Sequence, residues 1–162
     1  MEFCSECGEE FEKVKEEESG VFKKGTFQEI EFGSEEYNVC LDLRYRVLRV
    51  PLGLEWTETE MEGDRNDRHF ALVVGEEVMA CLTIHRLDAG RVKLRQMAVS
   101  PESQGTGLGR RLVSDVEDYL RKDGIKRVEL HAREEVIGFY LSLGYQKSGA
   151  RFQEVGIPHF KT

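Results

Sequence analysis

The chain has 162 residues, 40% hydrophobic and 33% charged, with a net charge of −8 at neutral pH and a mean hydropathy of −0.48. This is the balance of one globular domain long enough to bury a core. The longest apolar runs are far too short to span a bilayer and no basic leader precedes an apolar stretch, so a cytoplasmic protein with no membrane partner is expected. Residues 1–20 hold eight Glu and two Lys, which leaves the rest nearly neutral and without a basic stripe, arguing against nucleic acid as the main partner.

Residues 1–25 show no convincing period and read as an acidic tail, with the domain proper at 26–162. Cys4 and Cys7 have the spacing of half a zinc knuckle. A closed site needs four ligands and no second C-x-x-C exists, so no metal is expected within one chain. A site shared between two chains, or a redox pair, remains an alternative for this tail. Thr26 to Phe32 alternates as a first strand. Ser34 is a good N-cap for a helix whose apolar stripe is Cys40, Leu43, Val47 and Val50, ended by Pro51 and Gly53. Leu54 to Met61 suits a second short helix, and residues 63–67 a polar loop.

Three strands follow as a meander, with Phe70, Leu72 and Val74 inward on the first and Val78, Ala80, Leu82 and Ile84 on the second. The third carries Val92, Leu94, Gln96 and Ala98, and its short turn from the second predicts antiparallel neighbours. A helix with Leu108, Leu112, Val116, Tyr119 and Leu120 on one face closes at Gly124. The strand around Val128 and Leu130 is reached by a crossover, so it should run parallel to the strand ending at Val99. A helix holding Phe139 and Tyr140 ends at Gly144, and two short strands joined by an Ile157–Pro158 turn complete the chain. The pattern is an α+β fold with a mixed, mostly antiparallel sheet and flanking helices. Cys40 and Cys81 fall on apolar stripes and read as core.

The most informative segment links the Val99 strand to the long helix. Gly105, Gly107 and Gly109 alternate there, followed by Arg110 and Arg111. Glycines let a ligand approach the backbone, and a helix start offers unpaired N–H groups and a positive dipole end, which together suit a phosphate. A Walker loop would need Lys and Ser/Thr after the last glycine, and a dinucleotide fingerprint needs G-x-G-x-x-G, so neither fits. The run from Gln104 to Gly109 does match Q/R-x-x-G-x-G/A, and the later Phe139, Tyr140, Gly144 and Tyr145 follow in the expected order. On these motifs the chain, over roughly residues 26 to 162, resembles the GNAT family of N-acetyltransferases.

That resemblance implies a GNAT fold with a splayed parallel strand pair, acetyl-CoA as co-substrate, and an amine acceptor that is a small molecule or a peptide. It implies that the backbone of Met97, Ala98 and Val99 lines the cofactor, with the N–H groups of Met97 and Val99 facing it and Val99 polarising the thioester carbonyl. The segment Gln104, Gly105, Thr106, Gly107, Leu108, Gly109 and Arg110 would hold the pyrophosphate. Tyr140 would be the general acid for the leaving thiolate, since a phenol, titrating near about 10, is protonated at neutral pH. Direct attack in a ternary complex is implied, since no Cys lies beside the glycine loop. Arg133 stands where the family often has an amide contacting the pantetheine. The base that takes the acceptor's proton is left open among His85, His131, Glu154 and His159. A non-catalytic acyl-CoA sensor, and a partner-binding module built on the Cys4–Cys7 tail, are the alternative readings. An edge strand at the C terminus is compatible with a homodimer.

Overall fold

The structure is a computed structural model and describes residues 25–55, 58–133, 136–146, 148–154 and 157–161. The Cys4–Cys7 tail lies outside these residues, so the readings built on it do too. The strands are β1 (Thr26–Ile30), β2 (Arg68–Val74), β3 (Glu77–Arg86), β4 (Arg91–Val99), β5 (Arg127–Arg133), β6 (Ser148–Glu154) and β7 (Ile157–Lys161). The helices are α1 (Glu35–Arg44), α2 (Glu58–Gly63), α3 (Leu108–Lys122) and α4 (Ile137–Ser142). One sheet of order β1-β2-β3-β4-β5-β7-β6 is antiparallel except for the β4–β5 pair, as the crossover through α3 requires.

Both faces of the sheet's first half are covered. On one, α3 and α4 pack Leu112, Val116, Phe139 and Tyr140 onto Phe70, Leu82, Ile84, Leu94, Met97, Val99 and Leu130. On the other, α1 packs Tyr37, Cys40 and Leu43 onto Ala71, Val73, Cys81 and Ala98. Burial from both sides explains why β2 runs as five consecutive buried residues from His69 to Val73 rather than as an alternation of buried and exposed positions.

Ser34 caps α1 as expected, its hydroxyl accepting from the Tyr37 N–H at 3.1 Å. The apolar stripe does not run straight, however. Tyr45–Arg49 forms a wide π-helical turn, which adds a residue per turn and dephases the 3.6-residue period. Leu48 is buried while Val50, expected in the core, is 52% exposed. The second helix begins at Glu58 rather than Leu54.

In β4 the inward set also shifts. Thr83 pairs with Arg95 and Cys81 with Ala98, so Gln96 and Met97 together face the single Leu82. Gln96 takes φ +54°, unique among described non-glycine residues. This bulge swaps the faces beyond it: Met97 and Val99 join Val92 and Leu94 against α3, and Ala98 turns to α1. Gln96 and Ala98 therefore do not share the α3 face with Val92 and Leu94, as simple alternation would have them. Ile157 and Pro158 are not a turn but open β7, opposite Glu154 and Gln153, before the stretch that pairs with β5 begins at His159. β7 is interior to the sheet, and β6 is the edge.

Candidate active site

β4 and β5 run side by side only from Arg91↔Arg127 to Leu94↔Leu130. Beyond that point β4 stays with β3 while β5 turns to β7, pairing His131 with Lys161 and Arg133 with His159. A wedge opens between them. The Ser100 N–H donates to the Met79 carbonyl on β3 at 2.8 Å. Lateral N–H direction alternates along a strand, so the Val99 and Met97 N–H groups point the other way, into the space β5 has left. The bulge at Gln96 is what brings both into this phase, and its left-handed backbone is the local strain expected where a site is built.

The glycine loop closes the open end of the wedge. Gly105 and Gly107 have φ of +83° and +87°, a conformation that side chains with a Cβ adopt at a cost. Gly107 is the N-cap of the 15-residue α3, and no side chain caps it. The first intrahelical bond runs from the Arg111 N–H to the Gly107 carbonyl at 3.1 Å, so the N–H groups of Leu108, Gly109 and Arg110 precede the helical ladder. A Cβ on Gly105 would meet nothing within 4 Å, leaving room for a bulky anion. Arg111 pairs with Asp115 at 3.4 Å. Arg110 has no ion-pair partner among the described residues, which leaves its charge available. The loop is also braced from within: the Gln104 amide donates to the Val99 carbonyl at 3.1 Å, and the Thr106 hydroxyl donates to Ser103. Gln104 and Thr106 thus act at least partly on the protein itself.

Tyr140 is fully buried on the α3 side of the sheet, with its hydroxyl 3.8 Å from the Met97 Sδ. Phe139 stacks edge-on to it at 5.2 Å and Tyr145 at 5.7 Å. The phenol therefore lies against the β4 residue at the wedge. Tyr145 in turn donates to Glu117 at 2.9 Å; burial raises the pKa of both, that of the phenol far into the alkaline range.

The opposite face holds the polar residues. Asp64 accepts from Tyr37 at 2.6 Å and from Arg44 at 2.8 Å, all three buried. His69 uses both ring nitrogens, toward Thr83 at 3.1 Å and the Asp64 carbonyl at 2.9 Å, and burial lowers its pKa. Both contacts are structural. Past α1, the sheet shows Asp67, His85, Lys93 and Arg95. Asp67 is the residue that reading the sequence missed: in a loop of ordinary polar composition, nothing local marks it. The side chains of Arg133, Glu154 and His159 are outside what the structure describes; His131 is the first β5 residue past the parallel pairing and is half-buried.

The site thus joins a strand pair that parts to an uncapped, glycine-lined helix start. The chain belongs to the Acetyltransferase (GNAT) family, whose pattern matches residues 33–145. It is 35% identical over 74 residues to the uncharacterized protein YyaT of Bacillus subtilis, a match covering 46% of this chain and 50% of YyaT. It is 29% identical over 100 residues to the ribosomal protein bS18-alanine N-acetyltransferase of Salmonella typhimurium, covering 59% of this chain and 68% of that one. Among solved structures, an acyl-CoA N-acyltransferase from Pseudomonas aeruginosa superposes with a TM-score of 0.72 at 20% identity, over 85% of this chain and 97% of that one. The chain spans about half the length of YyaT.

Proposed function

We propose that this protein transfers an acetyl group from acetyl-CoA to a primary amine of a small molecule or peptide, by direct attack in a ternary complex. The observation that carries the reading is the wedge between β4 and β5, into which the Met97 and Val99 N–H groups point. The pyrophosphate rests on the N–H groups that open α3, with Arg110 as its cation. The Met97–Val99 backbone guides the pantetheine, and the Val99 N–H holds the thioester oxygen as negative charge develops on it, a contribution that can reach about 3–4 kcal/mol. As the acceptor nitrogen forms its bond to the carbonyl carbon, the carbon–sulfur bond breaks, and the leaving thiolate takes a proton from the Tyr140 hydroxyl. Cys40 and Cys81 are buried in the α1 face and take no covalent part.

The test is mass-spectrometric detection of acetylated product from acetyl-CoA and a panel of polyamines, amino sugars, amino acids and Lys peptides. The Tyr140→Phe variant should lose about 10²-fold or more in kcat while still binding acetyl-CoA. Binding without any acetylated amine would favour a non-catalytic acyl-CoA sensor. Loss of binding would remove the reading altogether.

A further inference from the structure

An ammonium acceptor must lose a proton before it can attack, and among the described residues none on the α3 side of the wedge is placed to take it. The α3–α4 side is filled by core, with Tyr140 fully buried in it, so the acceptor arrives over the other face. On that face α1 covers Ala71, Cys81 and Ala98 but stops short of the next rows. Cross-strand pairing sets those rows out: His69–Thr83–Arg95, and then His85–Lys93–Glu129.

Within this uncovered area Asp67 and His85 form a dyad. The Asp67 side chain is 1% exposed and its Oδ1 accepts from His85 Nδ1 at 2.7 Å; its Oδ2 lies 3.4 Å from Arg95. A buried carboxylate on Nδ1 fixes the tautomer that leaves Nε2 as the acceptor. The His85 side chain is 44% exposed, and its Nε2 makes no hydrogen bond among the described residues. His85 lies five residues along β3 from Ala80, which faces Val99, or ~16 Å at about 3.3 Å per residue. That is too far for direct contact with the reacting nitrogen, so the proton travels through a chain of several waters over the α1 face. His69 fits less well, being buried with both nitrogens engaged.

We infer that His85, oriented by Asp67, receives the acceptor's proton; the inference rests on the acetyltransferase reading above. One ammonium proton passes through water to His85 Nε2 and on to solvent. The freed nitrogen pair bonds the carbonyl carbon, and the second proton, lost from nitrogen as the carbon–sulfur bond breaks, restores the one Tyr140 gives to the thiolate. The overall release is one proton. Asp67 is a positioning residue. The charged groups facing His85 are Asp67, Lys93 and Arg95, with Glu129 one strand further.

The experiment is the pH profile of kcat/KM for the best amine of the panel in wild type, His85→Gln and Asp67→Asn, with acetyl-CoA affinity measured by calorimetry on each. Wild type should rise with pH along an acid limb of unit slope, because the base works only when deprotonated. His85→Gln should lose that limb and about 10²-fold of rate near neutrality, the deficit shrinking at alkaline pH where the amine deprotonates unaided. Asp67→Asn should move the limb, with a smaller loss. Acetyl-CoA affinity should hold within twofold in both. An unchanged limb in His85→Gln, or a loss equal at every pH, overturns the inference while leaving the acetyltransferase reading intact. If wild type binds acetyl-CoA yet acetylates nothing, the parent reading fails and the dyad's role with it.

Discussion

The two faces of the sheet present different kinds of chemistry to the same wedge. On the α3 face the groups are mostly backbone, the N–H groups of Met97 and Val99 on β4 and those opening α3 at Leu108 and Gly109, joined by the Tyr140 hydroxyl and Arg110. On the α1 face they are side chains drawn from separate segments, with Tyr37, Arg44 and Asp64 in one buried network and Asp67, His85 and Arg95 in another. A backbone site depends on conformation, which a few glycines and a bulge can set. A side-chain site depends on which residues happen to meet, and can be altered one substitution at a time without disturbing the backbone of the wedge.

Removing Asp64 should give the largest stability effect, because it would leave the buried Arg44 guanidinium and the Tyr37 hydroxyl facing a hole. Asp64→Ala is expected to cost about 3–5 kcal/mol in denaturant unfolding. A loss below about 1 kcal/mol would mean the network is not a structural unit of that face. Next, Gly107→Val places a β-branched residue at φ +87° on the other face. It should cost about 1–3 kcal/mol and weaken acetyl-CoA binding at least tenfold by calorimetry; unchanged affinity would deny the backbone site its anion. Smaller again, Arg110→Ala should weaken acetyl-CoA by about 1 kcal/mol, an effect that fades with salt, whereas Arg111→Ala, already paired with Asp115, should change it by less than half that.

The smallest effect tests charge on the α3 side. Burial raises the Glu117 pKa, so its charged form is the disfavoured one in the fold, and its contribution is greatest at low pH and lost as pH rises through the folded value. Glu117→Gln keeps an acceptor for the Tyr145 hydroxyl and should raise Tm by a few degrees at pH 7, with the gain vanishing in acid. Asp64→Asn, at a carboxylate that holds the Arg44 cation, should instead lower Tm at pH 7. A gain in both would erase the contrast between the faces.

Much of the β4–α3 side is legible along the chain because its parts are contiguous. Val99, Gln104, the alternating glycines and Arg110 fall within twelve residues, and the crossover through α3 forces β5 parallel to β4. The bulge is not legible. It requires that Gln96 and Met97 share one partner on β3, and no local propensity announces that; simple alternation puts Gln96 and Ala98 where Met97 and Val99 belong. The π-helical turn after Arg44 is hidden for the same reason, because a 3.6-residue period fits its sequence until the sheet beneath decides which side is covered.

By itself, then, the sequence determined the α+β class, the order of elements, the family and the glycine loop, since each is carried by neighbours in the chain whose periodicity or conformational freedom acts locally. Tertiary structure alone decided at which row β4 and β5 part, the bulge that turns the Met97 and Val99 N–H groups to the wedge, and that Asp67 meets His85 across eighteen positions of sequence. Those depend on pairing register and on burial from both sides of the sheet, quantities that exist only once distant segments have packed together.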